Sequence, residues 1–231
     1  MGFDAEGDRQ RVDSHQRQRP VETQAGDAWD VWSDSLAVAS SAYRRQTAPP
    51  VAQGATIYSF EIQLSDVDRG VYQALALRVA RQPSETAEYL LTRVLAYCLE
   101  YTEGIAFSRG LAEPDEPSLS VRDLTGGLQL WIEIGAPAAA RVHRASKAAP
   151  RVAIYTHKDP EQLVRQLAGE RIHRAEALEI YAVDRTMLAE LVARLDRRMV
   201  FELTVSHGQA YITLGTATLA GSIQPYKVGA S

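Results

Sequence analysis

The sequence is poor in several things, and each scarcity removes a class of protein. There is one cysteine, Cys98, in 231 residues. A lone cysteine cannot form a disulfide within the chain, which favours a reducing compartment. No apolar run approaches the roughly 20 residues that a membrane-spanning helix needs. Neither sign of charge dominates: 25 Lys and Arg stand against 29 Asp and Glu, for a net charge of -4. A chain-wide basic footprint for nucleic acid is therefore missing, which leaves only a local basic patch for such contact. The N-terminus is polar and acidic, unlike a secretory leader. A soluble, cytoplasmic protein is the default expectation.

Hydrophobic residues make up 45% of the chain, enough for one ordinary domain with some excess. The excess lies at the start. Residues 1–54 are polar and aperiodic and close on Pro49-Pro50. They read as a disordered or weakly helical extension, because such a stretch buries too little apolar area to offset its ordering entropy. Within it Trp29, Trp32, Leu36, Ala39 and Tyr43 recur at three and four residues, the spacing of one helical face. Residues 55–231 read as a single globular domain.

The centre of that domain is a hairpin from Pro117 to Gly135, PSLSVRDLTGGLQLWIEIG. Both arms alternate apolar and polar residues around Thr125-Gly126-Gly127, a strand–turn–strand signal. A turn centred on Thr125-Gly126 sets Leu119 opposite Ile132, Val121 opposite Leu130 and Ser118 opposite Glu133. The apolar set then shares one face, and Ser118, Ser120, Arg122, Gln129, Trp131 and Glu133 share the other. Glu133 is the odd residue, because a buried strand holds a lone charge only at a large desolvation cost. It needs a partner, a metal or water.

On either side, IYSFEIQL (57–64) alternates as a strand, and VYQALALRVAR (71–81) is expected to be a short amphipathic helix ending before Pro83. Ser84 is the expected N-cap of the next helix, with Glu85 and Glu88 at its positive end and Leu91, Val94, Leu95, Cys98 and Leu99 as its buried stripe. After the hairpin a helix runs from Pro137 to about Ala149, with Val142, Ala145 and Ala149 inward and His143, Arg144 and Lys147 outward. Then come a buried strand (152–157), a helix (160–169), a strand (178–183), a helix (186–195), a second hairpin (199–215) and a closing strand (217–224). The expected fold class is α/β (α+β): a mixed sheet flanked by helices, with additional antiparallel strands at the C-terminus.

Glu88, Asp115, Glu116 and Glu133 form an oxygen-rich set suited to Mg²⁺, a hard cation. The basic helix follows the Glu133 strand directly, so its cations are placed to hold a phosphate that such a metal polarises. The plainer readings are a structural ion pair of Glu133 with Arg93, Arg122 or Arg144, helix-start acids at Glu85 and Glu88, and a solvated basic face.

PSETAEYLLTRVLAY, FSRGLAEPDEP and LQLWIEIG, in that order and spacing, resemble the YaeQ family of bacterial proteins, from about Ala55 almost to the C-terminus. That family is similar in fold to the PD-(D/E)XK, restriction-endonuclease-like nucleases, so the resemblance implies a restriction-endonuclease-like core. It implies a helix glutamate at Glu88, or Glu85 if the helix is rotated. At the Pro-Asp position Pro117 matches, Ser118 replaces the aspartate and Glu116 stands in for it. Glu133 matches the acidic residue of the second strand, but Gly135 occupies the place of the lysine. The resemblance allows that role to pass to Lys147, Arg144 or His143 in the following helix, and Arg109 to bind phosphate. The implied activity is Mg²⁺-dependent cleavage of nucleic acid, with Glu88, Glu116 and Glu133 on the metal and Lys147 completing the catalytic set. The alternative is a catalytically silent module that binds nucleic acid or a protein.

Overall fold

The computed structural model describes residues 54–108 and 116–229. The expected extension, Gly54 apart, lies outside the described residues, as do Arg109 and Asp115. The elements are β1 (Thr56–Asp66), β2 (Val71–Arg81), α1 (Ala87–Leu99), β3 (Ile105–Phe107), β4 (Leu119–Arg122), β5 (Leu128–Ile134) and α2 (Ala139–Ala148). They continue with β6 (Arg151–Thr156), α3 (Pro160–Ala168), β7 (Glu179–Val183), α4 (Arg185–Val192), β8 (Arg198–Ser206), β9 (Gln209–Leu214) and β10 (Ala217–Tyr226). One mixed sheet holds all ten strands, in the order β2-β1-β8-β9-β10-β7-β6-β5-β4-β3. Among the described residues no helix is long and apolar enough to cross a membrane.

Two cores lie on opposite faces. Helices α1 and α4 cover one face of the whole sheet, where Phe60, Ile62, Leu77, Leu119, Ile132 and Leu203 pack beneath Leu91, Val94, Leu95 and Leu188. Helices α2 and α3 cover the other face only over β5, β6 and β7, where Val142, Ala145, Leu163 and Leu167 pack on Trp131, Val152 and Ile154. β5, β6 and β7 run parallel, the arrangement most often covered on both faces. The other strands, antiparallel except for the β1–β8 pair, leave their outer face to solvent, with Glu61, Gln63, Val200 and Tyr211 exposed.

The stretch 71–81 is a strand, not the expected helix. It pairs with β1 over eleven unbroken positions, from Val71 opposite Asp66 to Arg81 opposite Thr56. Its buried residues Leu75, Leu77 and Val79 recur at a period of two. The alanines between them fit a helical stripe and a pleat equally well, so pairing across the sheet decides.

The β1–β2 turn is also tied to the β8–β9 turn. Asp68 accepts the backbone N–H groups of His207 (2.7 Å) and Gly208 (3.0 Å), both at positive φ. These bonds hold the Asp68 carboxyl below its usual pKa, Gly208 contributing most and His207 next. A folded-state pKa below the unfolded value gives stability that is present above the unfolded pKa of about 3.9 and is lost as pH falls through the folded one. Asp68→Asn therefore melts below the parent at pH 7, and the gap closes in acid; thermal melts at pH 7 and pH 2.5 check this.

The β4–β5 hairpin has the expected register: Leu119 pairs with Ile132 and Val121 with Leu130. Its loop is longer than two residues. Asp123 organises it by accepting from Thr125 N–H, Thr125 Oγ1, Gly127 N–H and Gln129 Nε2. A bulge between Val121 and Arg122 absorbs the odd residue and keeps the apolar set on one face. Trp131, sorted by alternation with the polar face, is 3% exposed because α2 and α3 cover that face.

Candidate functional site

β5 and β6 end side by side, Ile134 paired with Tyr155. The crevice beyond the carboxyl ends of parallel strands is where open α/β sheets hold ligands. Glu133 sits at this end, 2% exposed. Its Oε1 accepts Trp131 Nε1 at 2.5 Å and Arg141 Nε at 2.7 Å. Its Oε2 accepts Ser118 Oγ at 3.4 Å, and that hydroxyl lies 3.0 Å from Tyr89 OH. Arg141 reaches across the hairpin as well, donating from Nη2 to the backbone carbonyl of Glu116 at 2.6 Å. A polar chain thus runs from α1 through both hairpin strands to the first turn of α2. Burial pushes the Glu133 carboxyl above its usual pKa, although Arg141, Trp131 and Ser118 pull it back.

Gly135 explains why no lysine follows Glu133 by two residues. Its φ is +83°, a left-handed conformation that a side chain adopts only under strain. A Cβ there would only touch the His157 ring at an ordinary 3.5 Å, so the backbone conformation is what favours glycine. The chain leaves the strand at this glycine and turns into α2. His157 follows β6 and is buried, with Nδ1 3.3 Å from Thr92 Oγ1 and its ring edge-on to Tyr89. Burial, then Lys158, lowers its pKa to about 4, so the imidazole is neutral at pH 7.

The other expected site residues fall in different places. Glu88 is half-buried in the first turn of α1; its own backbone N–H and then the Thr86 hydroxyl hold its carboxyl below the usual range, and His157 and Lys158 add to this. Thr86, not Ser84, is the N-cap. Glu85 precedes the helix and is buried against Arg93, Oε1 to Nη1 at 3.2 Å, with burial raising its pKa. Glu116 is half-buried beside Arg141. His143 accepts the backbone N–H of His173 through Nδ1. Arg144 is exposed and has a partner of its own. Lys147 is exposed in the last turn of α2. At 1.5 Å per residue that turn lies about 9 Å farther along the axis than Arg141. The structure therefore brings Glu133 and the Glu116 backbone together through Arg141, and leaves Lys147 at the far end of the helix. Among the described residues no three His, Cys, Asp or Glu side chains converge as a metal site would require.

Sequence reasoning missed Arg141, Tyr89, Ser118 as a link, and His157. A readable signal existed for two contacts. Trp131 shares the Glu133 face at a period of two, and only the first turn of α2 can reach back to the strand it follows. That turn has a further property: its N-cap, Ala138, offers no side-chain cap, whereas Asp159 caps α3. Uncapped first-turn N–H groups attract anions.

A family model described as YaeQ protein matches residues 51–223. The relative from Escherichia coli (strain K12), named "Uncharacterized protein YaeQ", is 32% identical over 164 residues, 71% of this chain and 91% of that protein. A relative of the same name from Salmonella typhi matches at the same identity and coverage. The crystal structure of YaeQ protein from Pseudomonas syringae superposes with a TM-score of 0.70 at 31% identity, over 76% of this chain and 98% of that one. The structure from Xanthomonas axonopodis pv. citri gives 0.68 at 31%, over 75% and 99%.

Proposed function

The chain belongs to the YaeQ family, and from that premise we propose that it is a nuclease-like module that binds a nucleic-acid phosphate backbone without cleaving it. α1, the β4–β5 hairpin, α2 and parallel β6 follow one another as in a restriction-endonuclease-like core, which supports that reading of the fold. The observation that carries the functional reading is the pairing of Glu133 with Arg141. A guanidinium 2.7 Å from Oε1 already neutralises the carboxylate. A cation brought to the same group would meet about 4 kcal/mol of repulsion per unit charge at 4 Å and an effective dielectric near 20. The donor set, with its central carboxylate taken, does not fit Mg²⁺.

Anion binding has better support at this end of the sheet. The uncapped start of α2 presents N–H groups and the positive end of a helix dipole. Lys158 is exposed next to the neutral His157, and Lys147 is exposed farther along α2. With a net charge of -4, only two or three phosphates are neutralised. Affinity for a single-stranded DNA or RNA 20-mer then falls about 7- to 18-fold between 50 and 200 mM salt. Fluorescence anisotropy checks this, and Lys158→Glu and Lys147→Glu each weaken binding. Salt-independent binding, or none at all, rejects the module.

A Mg²⁺-dependent hydrolase using Glu88, Glu116, Glu133 and Lys147 is the second reading. Its support is that Arg141 holds Glu133 and the backbone of Glu116 at one place. It predicts calorimetric Mg²⁺ uptake and slow oligonucleotide cleavage, both lost in Glu133→Gln. The first reading predicts neither.

A further inference from the structure

We infer that the free edge of β2 is a self-pairing surface, through which a second copy of this chain joins the sheet antiparallel. The direction of the backbone groups follows from two bonds. Ser59 N–H donates to Arg197 O and Val67 N–H to Val205 O, so the odd residues of β1 face β8 and the even ones face β2. The register sets Tyr58, Phe60, Ile62 and Leu64 opposite Val79, Leu77, Leu75 and Gln73. Those odd residues of β2 bond inward. The even ones, Tyr72, Ala74, Ala76, Arg78 and Ala80, aim both N–H and C=O away from the sheet. Ala80 agrees with this, since its carbonyl accepts Arg93 Nη2 at 2.6 Å. Four residues remain, each with a donor and an acceptor unpaired among the described residues.

Long free edges are ordinarily blunted by proline, charged side chains (lysine above all), bulges or brevity. Of these β2 has only Arg78 and Arg81: it runs eleven residues without Pro or Lys and pairs with β1 without a bulge. The opposite edge, β3, has three residues. Tyr72 on β2 is 63% exposed, and Ala76 and Arg78 are exposed beside it.

The four free residues are self-complementary in one register. An antiparallel pair related by a two-fold axis needs outward residues opposite outward residues. Setting Tyr72 opposite the partner's Arg78, and Ala74 opposite the partner's Ala76, pairs every free group on both copies. Leu75 then meets its own counterpart on the core face. A shift of two residues one way needs the Ala80 carbonyl that Arg93 already holds. The other way, Arg78 is left unpaired. In the favoured register each Tyr72 ring lies next to a guanidinium on the solvent face, a cross-strand cation–π pair formed twice. The central alanines leave room for close approach. This self-matching favours a second copy over an unrelated strand.

The test uses the full chain in sedimentation velocity from about 1 to about 200 μM, the range for a small, edge-only interface. The mass rises from that of a 25.4 kDa monomer toward twice that value. Hydrogen exchange at Tyr72, Ala74, Ala76 and Arg78 slows over the same range. Ala76→Pro stays monomeric and keeps the parent's melting temperature, because that N–H has no partner within the monomer. Tyr72→Ala weakens association at least fivefold and serves if the proline variant does not fold. A parent that stays monomeric throughout, or a dimer that forms while these four amides still exchange fast, overturns the proposal.

Discussion

Arg151→Met lowers the unfolding free energy by about 3 kcal/mol at pH 7, the low end of the range for removing one partner of a buried pair. Arg151 holds two carboxylates at once. Its Nη1 and Nη2 donate to Glu100 at 2.7 and 3.0 Å, and its Nε and Nη2 donate to Glu179 at 2.9 and 2.5 Å. Tyr155 OH donates to Glu100 and Tyr181 OH to Glu179. The network ties the C-cap of α1 to the first residues of β6 and β7. Without the guanidinium, Glu100, whose side chain is 8% exposed, and Glu179 lose the cation that bridges them, leaving Glu179 the weaker influence of Lys227. The low-end value reflects the 40% exposure of the Arg151 side chain. The melting temperature falls by about 6 to 12 °C for a chain of this length.

The pH dependence distinguishes this loss from one of packing. Burial acts to raise Glu179, but Arg151 outweighs it, and the carboxyl lies below its usual value. In the parent that contribution is present above the unfolded pKa of about 4.3 and is lost as pH falls through the folded one. In Arg151→Met that contribution is gone, and protonating Glu179 relieves a carboxylate that burial disfavours. The deficit is therefore widest at pH 7 and narrows toward pH 4. Urea unfolding at both values measures it, and a deficit below about 1 kcal/mol at pH 7 rejects the account.

Local chemistry was legible where it was sufficient. Turn residues and a period of two gave the Leu119–Ile132 and Val121–Leu130 pairings, and the inward set Val142, Ala145 and Ala149 is buried. The two misreadings share one cause. In VYQALALRVAR alanine satisfies both periods, and only β1, with its matching eleven residues, selects the strand. At the start of α1 both Ser84 and Thr86 are good capping residues, and the choice falls to Thr86 because Glu85 must turn inward to meet Arg93. The candidate site was legible only in part, for a related reason. Glu133 announced a buried charge in need of a partner, but the partner was sought among Arg93, Arg122 and Arg144. Arg93 is held by Glu85 and the Ala80 carbonyl. Which turn of α2 meets the end of β5 depends on how the chain bends at Gly135, and that bend is a property of the folded backbone.

The second large effect is expected at that partner. Arg141→Met costs about 3 to 5 kcal/mol at pH 7, because it leaves Glu133, with a side chain 3% exposed, charged and without a cation. Glu133 already has a raised pKa from burial. A raised folded-state pKa means stability that is complete below the unfolded value of about 4.3 and is lost as pH rises through the folded one. Removing Arg141 lifts that pKa further, so the deficit is small in acid and grows up to neutrality. Glu133→Gln removes the charge and still accepts from Trp131. The double variant therefore recovers at least half of the loss, and a coupling below about 0.5 kcal/mol means the two side chains act independently. The same variants separate the two functional readings. If Arg141 occupies a magnesium site, Arg141→Met removes the cation from Glu133 Oε1 and tightens Mg²⁺ binding at least tenfold. If the pair is structural, Mg²⁺ binds neither protein and oligonucleotide affinity stays within twofold, since the phosphate contacts are assigned to the Lys158 and Lys147 side chains and to backbone N–H groups at the start of α2, none of which the Arg141 side chain supplies.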